Sequence, residues 1–313
     1  MSLVRYFDLA PETVDFKQEI MEGLQQKPKR IAPKWFYDEE GSALFDQITA
    51  LEEYYPTRTE ISILKKIAID WQEPIGSIIE YGSGNSEKVR LLLPKAKAYV
   101  AVDISGEHMH QACHKIACDF PKLAVTALCA DYTQSLPLAE FLKDCPKPWI
   151  IFYPGSSIGN FSKEEAVLIL QHMRQSISKG DSLLIGVDLI KDKAILEKAY
   201  NDQQGITAQF NKHLLKRISQ AFSIPVALDD FQHTAFYNDK EQRIEMHLTC
   251  HKSQIWDLDG IKIVIEQGER IHTENSYKYE PEQFFSMLKH CDWQPKRYWH
   301  DEKNYFGVFY ATV

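Results

Sequence analysis

The sequence predicts an α/β protein: a doubly wound, mostly parallel sheet with a smaller β-rich module added to it. Three observations predict this. From residue 77 onward, short apolar runs alternate with helical segments, the pattern of parallel strands covered on both faces. The first of these runs leads straight into a glycine turn, "EYGSG", where an open α/β sheet binds ligands. After residue 222 the alternation gives way to paired strands at hairpin spacing.

Each element has its own signal. Residues 1–30 read as a loose start followed by a helix, "PETVDFKQEIMEGLQQ". An aromatic segment follows, with a short helix at 42–50. A second helix, 57–71, repeats Ile61, Leu64 and Ile67 at helical spacing. The strand candidates are 77–81, 98–103, 123–130, 149–153 and 182–189. Mixed or helical segments at 86–94, 106–119, 137–144 and 162–178 separate them. The last begins with Ser162 and has Glu165 three residues on, a capping box. Residues 192–222 read as two helices. "FQHTAFYN" and "RIEMHLTC" flank "DKEQ" as one hairpin, and "IKIVIE" and "IHTENSYKY" flank "QGER" as another. A helix at 281–290 and two strands close the chain.

Bulk properties exclude several classes. The 313 residues are 44% hydrophobic, enough to bury a sizeable core. Net charge is -8 with no basic stripe, which argues against a nucleic-acid partner; "KPKR" at 27–30 is too short to count. No apolar run approaches the roughly 20 residues a bilayer span needs, and the N-terminus carries no secretory h-region. The six cysteines show no paired framework. These features point to a soluble protein of the reducing cytoplasm. Nothing in the sequence demands more than a monomer.

The ligand site is read from three strand ends. Gly82-Ser83-Gly84 lets backbone approach a ligand closely, but Glu87 stands where a dinucleotide fingerprint has its third glycine. A strand carrying an acid before G-x-G is instead the pattern of S-adenosylmethionine (SAM) methyltransferases. Asp103, about twenty residues on, suits the ribose hydroxyls. Asp131, in "CADYT", lies where an adenine amino group belongs. A tight turn with helix-capping acids is the bland alternative.

Several long stretches resemble the histidine Nα-methyltransferases of ergothioneine biosynthesis, which form hercynine. They are "PKWFYDEEGSALFDQIT", "EYYPTRTE", "EYGSGNSEKVRLLL", "FYPGSSIGNF", "GVDLIKD", "AYND" with "GITAQFN", "RIEMHL" and "GERIHTENSYKY". The resemblance implies a Rossmann-like class I SAM-methyltransferase domain over 56–192 plus 280–313. It implies a substrate domain over 1–55 plus 193–279. For SAM it points to Gly82, Gly84, Lys88, Asp103, Asp131 and Tyr132. For L-histidine it points to Tyr54, Gly155, Asn160, Tyr200, Met246, Glu274 and Ser276. Tyr37, Asn160 and Tyr200 are the catalytic candidates, with Tyr37 near the reacting nitrogen. Rival readings are a relative acting on a tryptophan derivative, and a SAM-binding protein without catalysis.

The residue types fit that chemistry. Strict alternation over 271–279 puts His272, Glu274, Ser276 and Lys278 on one strand face. A neutral imidazole has one donor and one acceptor nitrogen; Glu274 can accept from it and Ser276 can do either. The amide of Asn160 can meet an α-carboxylate and an α-amine together, and Tyr200 adds a hydroxyl at that end. Tyrosine faces tolerate the growing cation. Taken singly, each of these tyrosines reads equally well as core filling, since the chain has 15. One further cluster, His108, His110, Cys113, His114 and Cys118, has zinc-like i, i+4 spacing. It is read as an ordinary surface helix, and no metal is expected.

Overall fold

The computed structural model describes residues 4–9, 15–84, 86–104 and 106–313, except for the side chains of Glu107 and His108. In chain order the strands are β1 (Arg5–Asp8), β2 (Ser77–Tyr81), β3 (Ala98–Asp103), β4 (Ala124–Cys129), β5 (Trp149–Tyr153), β6 (Ser182–Asp188), β7 (Phe231–Asn238), β8 (Arg243–Cys250), β9 (Gln254–Leu258), β10 (Ile261–Ile265), β11 (Arg270–Tyr277), β12 (Gln294–His300) and β13 (Phe306–Thr312). The helices are α1 (Phe16–Gln25), α2 (Glu39–Ala50), α3 (Tyr55–Asp70), α4 (Gly106–Asp119), α5 (Leu138–Phe141), α6 (Lys163–Gln175), α7 (Lys193–Tyr200), α8 (Ile206–Phe222) and α9 (Pro281–His290). The chain forms two compact units. One comprises Met1–Glu12, Pro56–Ile190 and Lys278–Val313; the other comprises Thr13–Tyr55 and Lys191–Tyr277.

The first unit is an eight-stranded sheet in the order β1-β4-β3-β2-β5-β6-β13-β12. The pairs from β1 to β6 are parallel, whereas β13 runs antiparallel to β6 and β12 antiparallel to β13. All five residues of β2 and of β5 are buried, as central strands covered on both faces require. Strand order reverses direction at β2, so the opening beyond the carboxyl ends of β2 and β5 is the topological switch point. At α6 the capping box is present: Ser162 accepts from the Glu165 N–H and the Glu165 carboxylate accepts from the Ser162 N–H.

The second unit is α+β rather than β-rich. A three-stranded antiparallel sheet, β11-β8-β7, and a separate β9–β10 hairpin share it with α1, α2, α7 and α8. Helix α8 packs on α2 and on β7. Asp38 caps α2 by accepting from Gly41 N at 2.8 Å and also meets His213 Nε2 of α8 at 2.7 Å, tying the two helices.

Four expectations are corrected. Arg5–Asp8 is a strand, not a loose start, and extends the first unit's sheet beyond β4 instead of joining the substrate unit. At four residues it is too short for a periodicity to register. Segment 86–94, read as mixed or helical, carries no α-helix; it forms two 3-10 turns, Val89–Leu91 and Leu93–Lys95, with Pro94 in the first turn of the second, where its missing N–H is tolerated. The run "IKIVIE" pairs with β9 around Asp259-Gly260, a turn signal the sequence reading passed over, while β11 pairs with β8. The register also shifts between His272 and Glu274. Thr273 is the extra residue of this β-bulge, and Ile271, not His272, shares the face of Glu274 and Ser276.

Candidate active site

The glycine turn is built as β2 ends. Gly82 (φ +66°) and Gly84 (φ +49°) adopt left-handed backbone that side chains disfavour. Gly82 N donates to Val102 O at 2.9 Å, and Gly84 N donates to Asp103 Oδ2 at 3.3 Å. The Tyr132 ring packs against Gly82, where an added Cβ would meet it at 3.5 Å. Among the described residues, a Cβ on Gly84 would meet nothing within 4 Å beyond its chain neighbours. Ser83 Oγ is buried without a hydrogen-bond partner among the described residues. A glycine cradle with an orphaned hydroxyl and a ring against it fits a nucleoside-type ligand.

The structure thus brings Gly82, Gly84, Asp103 and Tyr132 together. Asp131 spends part of its acceptor capacity on its own turn, taking Thr133 N at 2.9 Å and Thr133 Oγ1 at 2.7 Å. Lys88 reaches Glu60 at 2.6 Å, a residue that sequence reasoning did not single out. After β5, the loop carrying Gly155 ends in the 3-10 turn Ser157–Asn160, where Asn160 is half-buried.

A second unforeseen acid sits beneath the turn. Glu80 is 2% exposed and accepts from Tyr99 Oη at 2.6 Å, and Ser86 Oγ lies 2.9 Å from that hydroxyl. Burial pushes its carboxyl up to about 8, against the opposing pull of the Tyr99 hydrogen bond and the Lys88 charge. The folded protein therefore keeps a proton between about pH 4.5 and 8 that the unfolded chain releases. That contribution to stability is complete below pH 4.5 and is lost as pH rises toward 8. Glu80→Gln, which keeps an acceptor for Tyr99, should raise Tm over the wild type at pH 8 by several degrees and change it little at pH 5. Parallel melting curves at the two pH values check this; an equal change at both would refute it.

The second unit holds a pocket of its own. A small cavity is lined by Tyr54, Tyr200, Phe210, Met246 and Glu274, among others. Glu274 stands opposite Met246 in the β11–β8 register and is 8% exposed. Tyr200 Oη donates to Ser276 Oγ at 2.8 Å, with both groups buried. Sequence reasoning put Tyr200 with Asn160 at the amino-acid end; its hydroxyl instead joins the Glu274–Ser276 face. The rings of Tyr54 and Tyr200 stand 6.2 Å apart, edge to face. Tyr37, 40% exposed, packs edge-on against Phe45 at 5.6 Å and Phe210 at 5.8 Å.

The helix read as a zinc decoy is α4. Its His110 and His114 rings meet edge to face at 4.5 Å, Cys113 is buried and Cys118 is exposed. The His108 side chain lies outside the described residues. Among the described residues, metal donors converge elsewhere. One donor atom each of Glu245, His247 and His272 lies within 4.8 Å of the others, on the sheet face opposite the pocket. Arg243 Nη2 is 2.7 Å from Glu245, so a guanidinium already supplies the charge an ion would bring.

A parallel sheet with a final antiparallel hairpin, a glycine turn at its switch point and an acid at the end of β3 and just past β4 defines a Rossmann-like, SAM-dependent methyltransferase. The model of one family, described as "Histidine-specific methyltransferase, SAM-dependent", matches residues 16–313, and the chain belongs to that family. It is 33% identical to "Histidine N-alpha-methyltransferase" of Mycolicibacterium smegmatis, covering 100% of this chain and 99% of the relative. It is 36% identical to "Ergothioneine biosynthesis protein 1" of Neurospora crassa, covering 86% of this chain and 32% of that protein. It is 26% identical to a 4-dimethylallyltryptophan N-methyltransferase of Claviceps purpurea, covering 84% of this chain and 85% of the relative. No helix among the described residues is long and apolar enough to cross a membrane.

Proposed function

We propose that this enzyme methylates the α-amine of L-histidine to hercynine, the trimethylated amino acid, in an ergothioneine-type route. The observation that carries the reading is the buried Glu274 carboxylate beside Ser276 and Tyr200 in an aromatic cavity. Glu274 accepts from one imidazole N–H; the Ser276 hydroxyl, itself receiving from Tyr200, turns its donor or its remaining lone pair to the other nitrogen. The rival substrate class, an indole, has one N–H and no acceptor, and so cannot use both groups.

SAM, when bound, supplies an electrophilic methyl carbon on sulfur. Gly82, Gly84, Asp103, Asp131, Tyr132 and Lys88 hold it. Gly155 and Asn160 take the amino-acid end of histidine, and Asn160 offers an acceptor to the amine and a donor to the carboxylate. Met246 closes the ring pocket, and Tyr54 and Tyr37 present aromatic faces that suit the cation formed as methyls accumulate. Tyr37, through water, relays the proton that the amine must lose to expose its lone pair, its oxygen taking that proton as its own hydroxyl proton passes to solvent. Mass spectrometry of enzyme incubated with SAM and each of the twenty amino acids tests the assignment. Histidine alone should gain three methyl groups; methylation of tryptophan in preference to histidine would overturn it.

A further inference from the structure

The stretch "EYYPTRTE" contains an acid with no role in the site as proposed. Glu60, on α3, is 0% exposed. Its carboxylate accepts from Gly155 N with both oxygens, at 3.0 and 2.9 Å, and Oε2 meets Lys88 Nζ at 2.6 Å. Space for it comes from Gly186 of β6, where an added Cβ would lie 1.9 Å from Oε1. One buried carboxylate therefore grips two segments that leave the sheet at its switch point. Lys88 follows the glycine turn after β2, and Gly155 opens the loop after β5 that ends at Asn160.

A buried carboxylate is costly unless its charge is met, and a fold can replace such a pair with apolar packing at no loss of stability. Its placement here has a geometric consequence. Glu60 takes one of the three N–H donors of Lys88 and so orients the other two. The Lys88 side chain keeps 20% of its surface exposed, enough to meet a ligand. We propose that Glu60 is a positioning residue: it aims Lys88 at the carboxylate of the methyl donor's amino-acid tail and, in the same contact, holds the loop of Asn160. The proposal rests on the assignment of Lys88 to the donor and does not depend on which amine is methylated.

Binding of S-adenosylhomocysteine and of 5′-methylthioadenosine, by calorimetry, tests it. The second ligand keeps the adenosine and the thioether but lacks the amino-acid tail. Glu60→Gln should weaken S-adenosylhomocysteine by about ten- to a hundredfold, the range for a hydrogen bond to a charged group, and leave 5′-methylthioadenosine unchanged. In a Lys88→Met background, adding Glu60→Gln should cost at most about twofold more, since two residues acting through one contact do not add. Glu60→Asp keeps the charge with a shorter reach; it should show a smaller loss, again confined to the tailed ligand, and it serves if Glu60→Gln folds poorly. Equal weakening of both ligands, or penalties that multiply in the double variant, would overturn the proposal. If another amino acid proves to be the acceptor, these measurements still stand.

Discussion

Glu274→Ala is expected to lower kcat/KM for histidine by about a hundredfold or more, while S-adenosylhomocysteine affinity stays unchanged. The carboxylate is 8% exposed and lines the cavity, so a bound imidazole gives up water for this one charged acceptor. Without it, a ring N–H is buried unsatisfied, and losing a hydrogen bond to a charged group costs about 1.5–3 kcal/mol before that desolvation is counted. Glu274→Gln keeps an acceptor oxygen without the charge and should lose about tenfold. The loss should appear in KM if the ring is held equally in ground and transition states, and in kcat if the grip matters only once the amine is aligned. Steady-state kinetics of both variants checks this, and unchanged kcat/KM for Glu274→Ala would remove the ring-binding role.

Lys278→Met is expected to destabilise the first unit strongly. Lys278 and Asp188 are each 1% exposed and their charges meet at 2.8 Å, inside that unit. Removing the ammonium leaves the Asp188 charge in the interior without that partner, at a cost of about 3–5 kcal/mol. The double variant Lys278→Met/Asp188→Asn, which removes both charges, should recover much of the loss, because apolar or neutral replacements of a whole buried pair come close to neutral. Urea unfolding of the single and double variants measures it. A single variant within about 0.5 kcal/mol of the wild type would show that the pair contributes little.

Glu274 and Lys278 also show what a strand pattern can and cannot tell. Period-2 alternation put both on one face with His272 and Ser276. The bulge at Thr273 breaks that count, so His272 faces away and its ring meets Asn275 at 2.8 Å and His247 across the sheet. Lys278 is buried against Asp188, not offered to a ligand. A bulge depends on how the partner strand registers, and β8 lies more than twenty residues upstream of the affected positions. Glu60 was unreadable for a related reason. It looks like any helical glutamate until α3 packs over Gly186 and brings Lys88 and Gly155 to it.

By itself, the sequence determined the α/β alternation, the ends of β2, β3, β5, β7 and β8, the capping box of α6, the glycine turn and the acids at the following strand ends. Each of these is encoded within a few neighbouring residues, by side-chain period, by glycine's tolerance of left-handed backbone or by a cap that closes on itself. Only the tertiary structure decided the partner of β10, the sheet position of Arg5–Asp8, the direction of the Tyr200 hydroxyl, and the burial that raises Glu80 and grips Lys88 through Glu60. These depend on which distant segments meet, and the desolvation and hydrogen bonding that give a charge its role exist only once they have met.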